Sequence, residues 1–275
     1  HMALSCLPVL DWSAAWAVYP AALLMRTIRT AGRARLPRCH QALLQVGVFP
    51  IRDHYYEPQF KFTETKANGS SPRRLASINW NASQQLEFLS RFTYSDELKD
   101  LLRRAAQPHQ FGIENPSFGP GDAEYWYQLI RTVKPRRIIE IGSGNSTLLA
   151  RLALDANRRQ DAYYDCEHIC IEPYEMPWLE RIGVTVIREK VEDLDLALFE
   201  TLGENDILFI DSSHVIRPQG DVLFEFLEIL PLLKPGVIVH VHDVFSPRNY
   251  PREWLEQDVR FWNEQYLLEG FLSFN

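Results

Sequence analysis

From residue 122 onward the chain alternates between short apolar runs and longer amphipathic ones. Arg137–Ile141 (RIIEI), His168–Glu172 (HICIE), Val184–Ile187, Asp206–Asp211 (DILFID) and Val237–Asp243 (VIVHVHD) have the length and β-branched content of strands. Between and around them, apolar positions at helical spacing predict helices over Asp122–Val133, Thr147–Arg158, Pro177–Arg181, Asp221–Leu233 and Arg252–Phe271. Most of the strand runs are continuously apolar. That pattern belongs to a mostly parallel sheet covered by helices on both faces, an α/β architecture.

The first hundred residues lack this beat. Ser83–Phe92 (SQQLEFLSRF) fits a short capped helix, Lys66–Arg74 is a polar loop, and Val46–Pro58 is aromatic-rich and irregular. Pro108–Gly121 is a Pro/Gly-rich connector. The chain therefore divides into a helical and loop extension, 1–108, and an α/β domain, 109–275. The apolar stretch Ala3–Met25 is interrupted by Pro8, Asp11 and Pro20, which argues against a clean membrane span.

Composition narrows the function classes. The chain's 275 residues can bury a full core, and a formal net charge of −7 argues against a general nucleic-acid binder. Arg26, Arg29, Arg33, Arg35 and Arg38 nonetheless form a basic run with no acid between Asp11 and Asp53. It reads as a solvated helix face, or as a weak membrane-surface or protein contact. Cys6, Cys39, Cys166 and Cys170 are too few and too scattered for a disulfide framework, so reduced thiols and a cytoplasmic location are the expectation. Cys166, His168 and Cys170 share one strand face but are too close for a tetrahedral metal site, which favours simple burial. Asn81-Ala-Ser83 matches a glycosylation acceptor without changing that expectation, and His1-Met2 reads as a cloning remnant.

The most informative segment is Arg137–Thr147 (RIIEIGSGNST): strand, glycine turn, helix. Such a unit brings backbone N–H groups close to a nucleotide-like ligand. A dinucleotide turn would carry a third glycine where this chain has Thr147. Glu140, Gly142, Gly144 and the small Ser146 instead resemble the first motif of the class I S-adenosylmethionine-dependent methyltransferases. Glu172 at the end of the second strand, Asp211 in FIDSSH and Leu233-Lys-Pro-Gly236 before the fifth strand extend the resemblance over 109–275.

The resemblance implies a Rossmann-like methyltransferase sheet with S-adenosylmethionine as cofactor. Glu140, Gly142, Ser143, Gly144, Asn145 and Ser146 would form its cradle, Glu172 would accept from the ribose hydroxyls, and Glu192 in Val191–Asp193 would lie near adenine, with Asp211 closing the site. The family sheet normally ends in an antiparallel strand pair for which this chain has no room, so the edge is either truncated or supplied by a partner, and a homo-oligomer is one way to do so.

Chemistry-bearing residues concentrate after the fourth and fifth strands. Asp211 and His214 follow the fourth, and His240, His242 and Asp243 end the fifth, with 240 and 242 on one side of the strand. Two mechanisms are open. In one, Asp211, His242 and Asp243 hold a divalent metal (Mg, Mn or Fe) that lowers the pKa of an acceptor hydroxyl, which resembles the catechol and macrolide-sugar O-methyltransferases. In the other, His214 or His242 is a direct general base. His240 reads as a packed strand histidine. Trp126, Trp254, Trp262 and the Phe49–Tyr56 segment, with Tyr55 and Tyr56 beside His54, are candidates for an acceptor pocket. The expected activity is O-methylation of a small hydroxylated molecule. The rivals are a redox-metal enzyme on the same cofactor and a silent S-adenosylmethionine-binding module.

Overall fold

The computed structural model describes residues 7–52, 57–58, 71–103, 110–174 and 176–274. The expectations for His54, Tyr55, Tyr56 and most of the 66–74 loop lie outside these residues. The chain forms two compact units: 1–69 with 256–259, and 70–255 with 260–275.

In the first unit, helix α1 (Leu7–Arg35) leaves helical geometry at Gly32, where φ is 74°, and α2 (Pro37–Val46) follows with proline in its first turn. Glu57 accepts from Arg29 at 2.7 Å and from Arg52 at 3.1 Å. No helix among the described residues is long and apolar enough to cross a membrane.

The second unit holds helices α3 (Ala82–Leu89), α4 (Ser95–Leu102) and α5 (Pro120–Val133), then strand β1 (Arg137–Ile141) and α6 (Asn145–Gln160). Strands β2 (Glu167–Ile171), β3 (Thr185–Ile187) and β4 (Ile207–Ile210) follow. Helix α7 (Asp221–Phe224) runs through a π-turn, Glu225–Ile229, into α8 (Leu230–Leu232). Strand β5 (Ile238–Val241), α9 (Arg252–Glu256) and α10 (Glu264–Phe274) complete it. All five strands are parallel, in the order β3-β2-β1-β4-β5. The order reverses between β1 and β4, the point at which open α/β sheets bind ligands beyond their carboxyl ends. This is a Rossmann-like sheet with an N-terminal helical region.

Each face of the sheet has its own core. Ile207 and Phe209 of β4 pack with Trp126 and Tyr127 of α5 and Leu149 of α6, while Leu208 and Ile210 pack with Phe224 and Ile229 on the other face. That alternation along one strand explains why the run is apolar throughout. Helix α5 starts with Pro120 at its first turn and Asp122 beside the positive end of its dipole, and stops at Lys134, whose φ of 53° is left-handed.

Two expectations are corrected. Residues 71–103 belong with the α/β unit rather than with a 1–108 extension, because Glu97 of α4 pairs with the buried Arg131 of α5 at 2.7 Å and Gln128 accepts from the Tyr94 N–H at 2.9 Å. The single helix expected over 252–271 is two helices. Between them Arg260 stacks on Trp254 and Trp262, 4.3 and 4.7 Å from the ring centres, and the Asn263 N–H donates to the His214 carbonyl at 3.0 Å. This break sets the start of α10 beside the loop after β4.

Candidate active site

At the carboxyl end of the sheet, a cavity of about 430 Å³ lies over the switch point, lined by Gly142, Glu172, Glu192, Asp211, Ser213 and Arg217 among others. Its size falls in the range of small-molecule and cofactor sites. Gly142 has a φ of 78°, and a Cβ there would meet the Asp211 carbonyl oxygen at 1.9 Å. Glycine at 142 thus allows the turn after β1 to close on the end of β4. At Gly144 a Cβ would make only an ordinary contact, 3.7 Å from Met176 Cε.

Of the residues expected to cradle a cofactor, Gly142, Glu172, Glu192 and Asp211 reach the cavity, and the others do not line it. Glu140 is fully buried beneath the turn, where it accepts from Ser146 Oγ and lies 2.9 Å from His168 Nε2. Cys170 Sγ also donates to it at 3.8 Å. Glu140 and Ser146 therefore brace the turn from below rather than line the cavity. Glu140, His168 and Cys170 are close enough to share a metal ion, but all three are buried, with His168 and Cys170 both hydrogen-bonded to Glu140. Ser143 contributes its N–H, which donates to Glu172 at 3.3 Å. Asn145 turns away to Asn115 and Ser117, at 3.1 and 2.9 Å, tying the 112–118 loop to the start of α6.

Glu172 accepts a second backbone hydrogen bond, from Tyr174 at 3.1 Å, so both carboxylate oxygens are fixed at the cavity wall. The sequence reading missed Arg217 and Asp221. Asp221 accepts from the Ser213 N–H and hydroxyl at 2.9 and 2.7 Å, and Arg217 lies 3.4 Å from Asp221 and 3.6 Å from Glu192. Their position just after FIDSSH, at the glycine-led start of α7, was the available signal.

Beside the cavity the histidines and acids of β4 and β5 converge. His214 Nε2 lies 3.2 Å from Asp211 and 3.9 Å from Asp243, and its Nδ1 is 2.7 Å from Glu264 of α10. His242 Nδ1 is 3.5 Å from Asp211 and 3.6 Å from Asp243, and its Nε2 is 3.7 Å from Asp122. These distances exceed hydrogen-bonding range, and both buried ring nitrogens of His242 lack a hydrogen-bond partner. The ring instead stacks on Phe118, centroids 5.1 Å apart. Both His214 and Asp243 have positive φ, 59° and 54°, a conformation that side chains other than glycine seldom adopt outside functional loops.

Charge follows from this crowding. Burial alone would favour the neutral forms, but His214 and His242 hold Asp211 well below the ordinary carboxylate range. Burial likewise works against charge on His214, yet Asp211 and Glu264 raise it to about 9. His242 is raised to about 12 by Asp122, Asp211 and Asp243 against its own burial. His240, by contrast, is pushed down to about 4, chiefly by burial. Its ring stacks on Phe209 at 4.7 Å and it serves as a packed strand histidine.

The donor set fits a divalent cation. Ligand atoms of Asp211, His214 and Asp243 lie within 4.8 Å of one another. Glu264 on the far nitrogen of His214 is the second partner that metal-binding imidazoles usually carry. This group contains His214 in place of the expected His242, which stands next to it. Trp262 packs on His214, centroids 4.2 Å apart, and Trp254 on Trp262 at 5.2 Å. Trp126 is not a pocket residue: it is fully buried and donates to the Ser146 carbonyl at 3.1 Å, holding the start of α6.

A protein family matches this part of the chain. Residues 139–244, from β1 to the loop after β5, match a protein family described as Methyltransferase domain. The chain is 39% identical over 99 residues to an uncharacterized protein of Archaeoglobus fulgidus. That alignment covers 34% of this chain and 42% of the relative, so the chain spans less than half the length of the curated relative it matches. No solved structure gives a significant match. Over residues 139–244, from the glycine turn through His242 and Asp243, the chain is similar to that methyltransferase domain family.

Proposed function

We propose that the cavity binds S-adenosylmethionine and that the adjoining carboxylate–histidine group activates a small hydroxylated acceptor for O-methylation. One observation carries this reading. Asp211 lines the cavity and is also a member of the Asp211, His214, Asp243 group, so donor site and acceptor chemistry meet at a single side chain. Methyl transfer asks mainly for in-line positioning and removal of a proton, and both needs would be met within this distance.

On the donor side, Glu172 is held on the cavity wall by Ser143 and Tyr174, where its carboxylate would meet a vicinal diol. Glu192, on the same wall, suits the nucleobase end.

On the acceptor side, a cation held by Asp211, His214 and Asp243 would lower the pKa of an acceptor hydroxyl. The mixed oxygen and imidazole set favours manganese or iron over magnesium. Glu264 orients His214 whether or not a cation is engaged. His242, held as an imidazolium by three carboxylates, balances their charge and is not the base. In a metal-free reaction His214 is the base, and turnover would climb as the pH approaches 9.

The test is methyl transfer from S-adenosylmethionine to catechol and sugar-hydroxyl acceptors, with manganese, with magnesium and with chelator. Asp211→Asn is expected to abolish turnover. Near-normal transfer by that variant would refute the assignment, and chelator-insensitive turnover rising toward pH 9 would select the histidine base.

A further inference from the structure

Helix α1 presents an apolar surface that the other described residues leave exposed. Trp12, Trp16 and Tyr19 are 72%, 76% and 71% exposed, and with Leu23 they form one stripe along the helix. Val18 and Leu24, 60% and 58% exposed, lie off that stripe. From Leu7 to Met25 the only charged residue is Asp11, so the first part of the helix is apolar around much of its circumference. A soluble surface helix keeps a polar face, and a two-helix seam covers one stripe only.

The charge changes abruptly after Met25. Arg26, Arg33, Arg35 and Arg38 are exposed, and among the described residues no carboxylate pairs with them, whereas Arg29 is engaged by Glu57. Residues 1–58 hold six arginines against three acids in a chain whose net charge is −7. A surface complementary to this end of the chain is therefore apolar and negatively charged together. Trp and Tyr favour the water–hydrocarbon boundary, and arginines beside them favour anionic headgroups. The helix is too polar to span.

We infer that α1 docks on an anionic lipid surface as a monotopic anchor, with Trp12, Trp16 and Tyr19 in the boundary and Arg26, Arg33, Arg35 and Arg38 on the headgroups. Binding of this kind combines buried apolar area with attraction to anionic lipid, and needs both. A second copy of the chain fits less well, because a single helix–helix seam would cover the Trp12–Leu23 stripe and leave Val18 and Leu24 exposed.

The test is sedimentation of the full chain with vesicles of phosphatidylcholine alone and of equal parts phosphatidylcholine and phosphatidylglycerol. The inference expects binding to the mixed vesicles that weakens with salt. Arg33→Gln with Arg35→Gln and Arg38→Gln should weaken it on the order of tenfold or more. Trp12→Ser with Trp16→Ser should weaken it comparably, with the circular dichroism spectrum unchanged in both variants. No binding to either vesicle, equal binding to both, or a lipid-free oligomer that dissociates on the Trp12 and Trp16 substitutions would each overturn it. The measurement is independent of methyl transfer, so it stands or falls apart from the proposed activity.

Discussion

His214 Nδ1 and Glu264 Oε2 lie 2.7 Å apart, joining the loop after β4 to the first residue of α10. Glu264 is almost fully buried, and its reach fixes which nitrogen of His214 faces Asp211 and Asp243. Losing an outer partner of this kind typically weakens metal affinity by roughly 10–100-fold. Glu264→Gln should therefore lower manganese affinity by that order in calorimetry while leaving S-adenosylmethionine affinity near wild type. An equal loss of both would mean that Glu264 only holds the fold.

The two turn glycines should respond differently to alanine. Gly142→Ala drives a Cβ into the Asp211 carbonyl at a φ of 78° and should destabilise the fold by about 3 kcal/mol or more. Gly144→Ala has room, with Met176 Cε 3.7 Å from the new carbon, and should melt near wild type. Thermal melts on the two variants separate a glycine that the fold requires from one that it does not.

Glu172→Ala removes an acceptor fixed on the cavity wall by Ser143 and Tyr174. Hydrogen bonds to a charged group contribute roughly 1.5–3 kcal/mol, so affinity for S-adenosylmethionine should fall about 10- to 150-fold. Unchanged affinity would remove Glu172 from the site.

Acid sensitivity should trace in part to α4. Burial alone would raise Glu97, but Arg131 and Tyr127 outweigh it and hold its pKa below the ordinary value of 4.5. A carboxylate depressed on folding adds stability that is fully present above its unfolded pKa and lost as the pH falls through its folded one. Urea melts from pH 6 down to pH 3 should show Glu97→Gln less stable than wild type at the upper end, the gap narrowing toward the lower. A constant gap would assign the effect to packing.

The fold was legible to the degree that it is local. Arg137–Ile141 is a strand at the bounds its β-branched run implies, and the five apolar runs are the five strands. What was not legible depends on distant contacts. Glu264 lies 50 positions from His214, and nothing at residue 264 marks it before the 252–271 run is broken by Arg260 stacking between two tryptophans. Glu140 was misassigned to the cavity although its position between Ile139 and Ile141 keeps it within a strand buried on both faces. His168 and Cys170, two apart on β2, meet it there, as strand alternation allows. His242 and His214 both follow strand ends, and the distant Glu264, on the Nδ1 side of His214, leaves its Nε2 facing Asp211 and Asp243.

The central claim is that one cavity brings S-adenosylmethionine to Asp211. Isothermal titration of the full chain with S-adenosylmethionine and S-adenosylhomocysteine, repeated with Glu172→Ala, tests it most directly. The account predicts saturable binding of both compounds by the wild-type chain and a marked loss in the variant. No heat of binding with either compound, in a chain shown by circular dichroism to be folded, would contradict it.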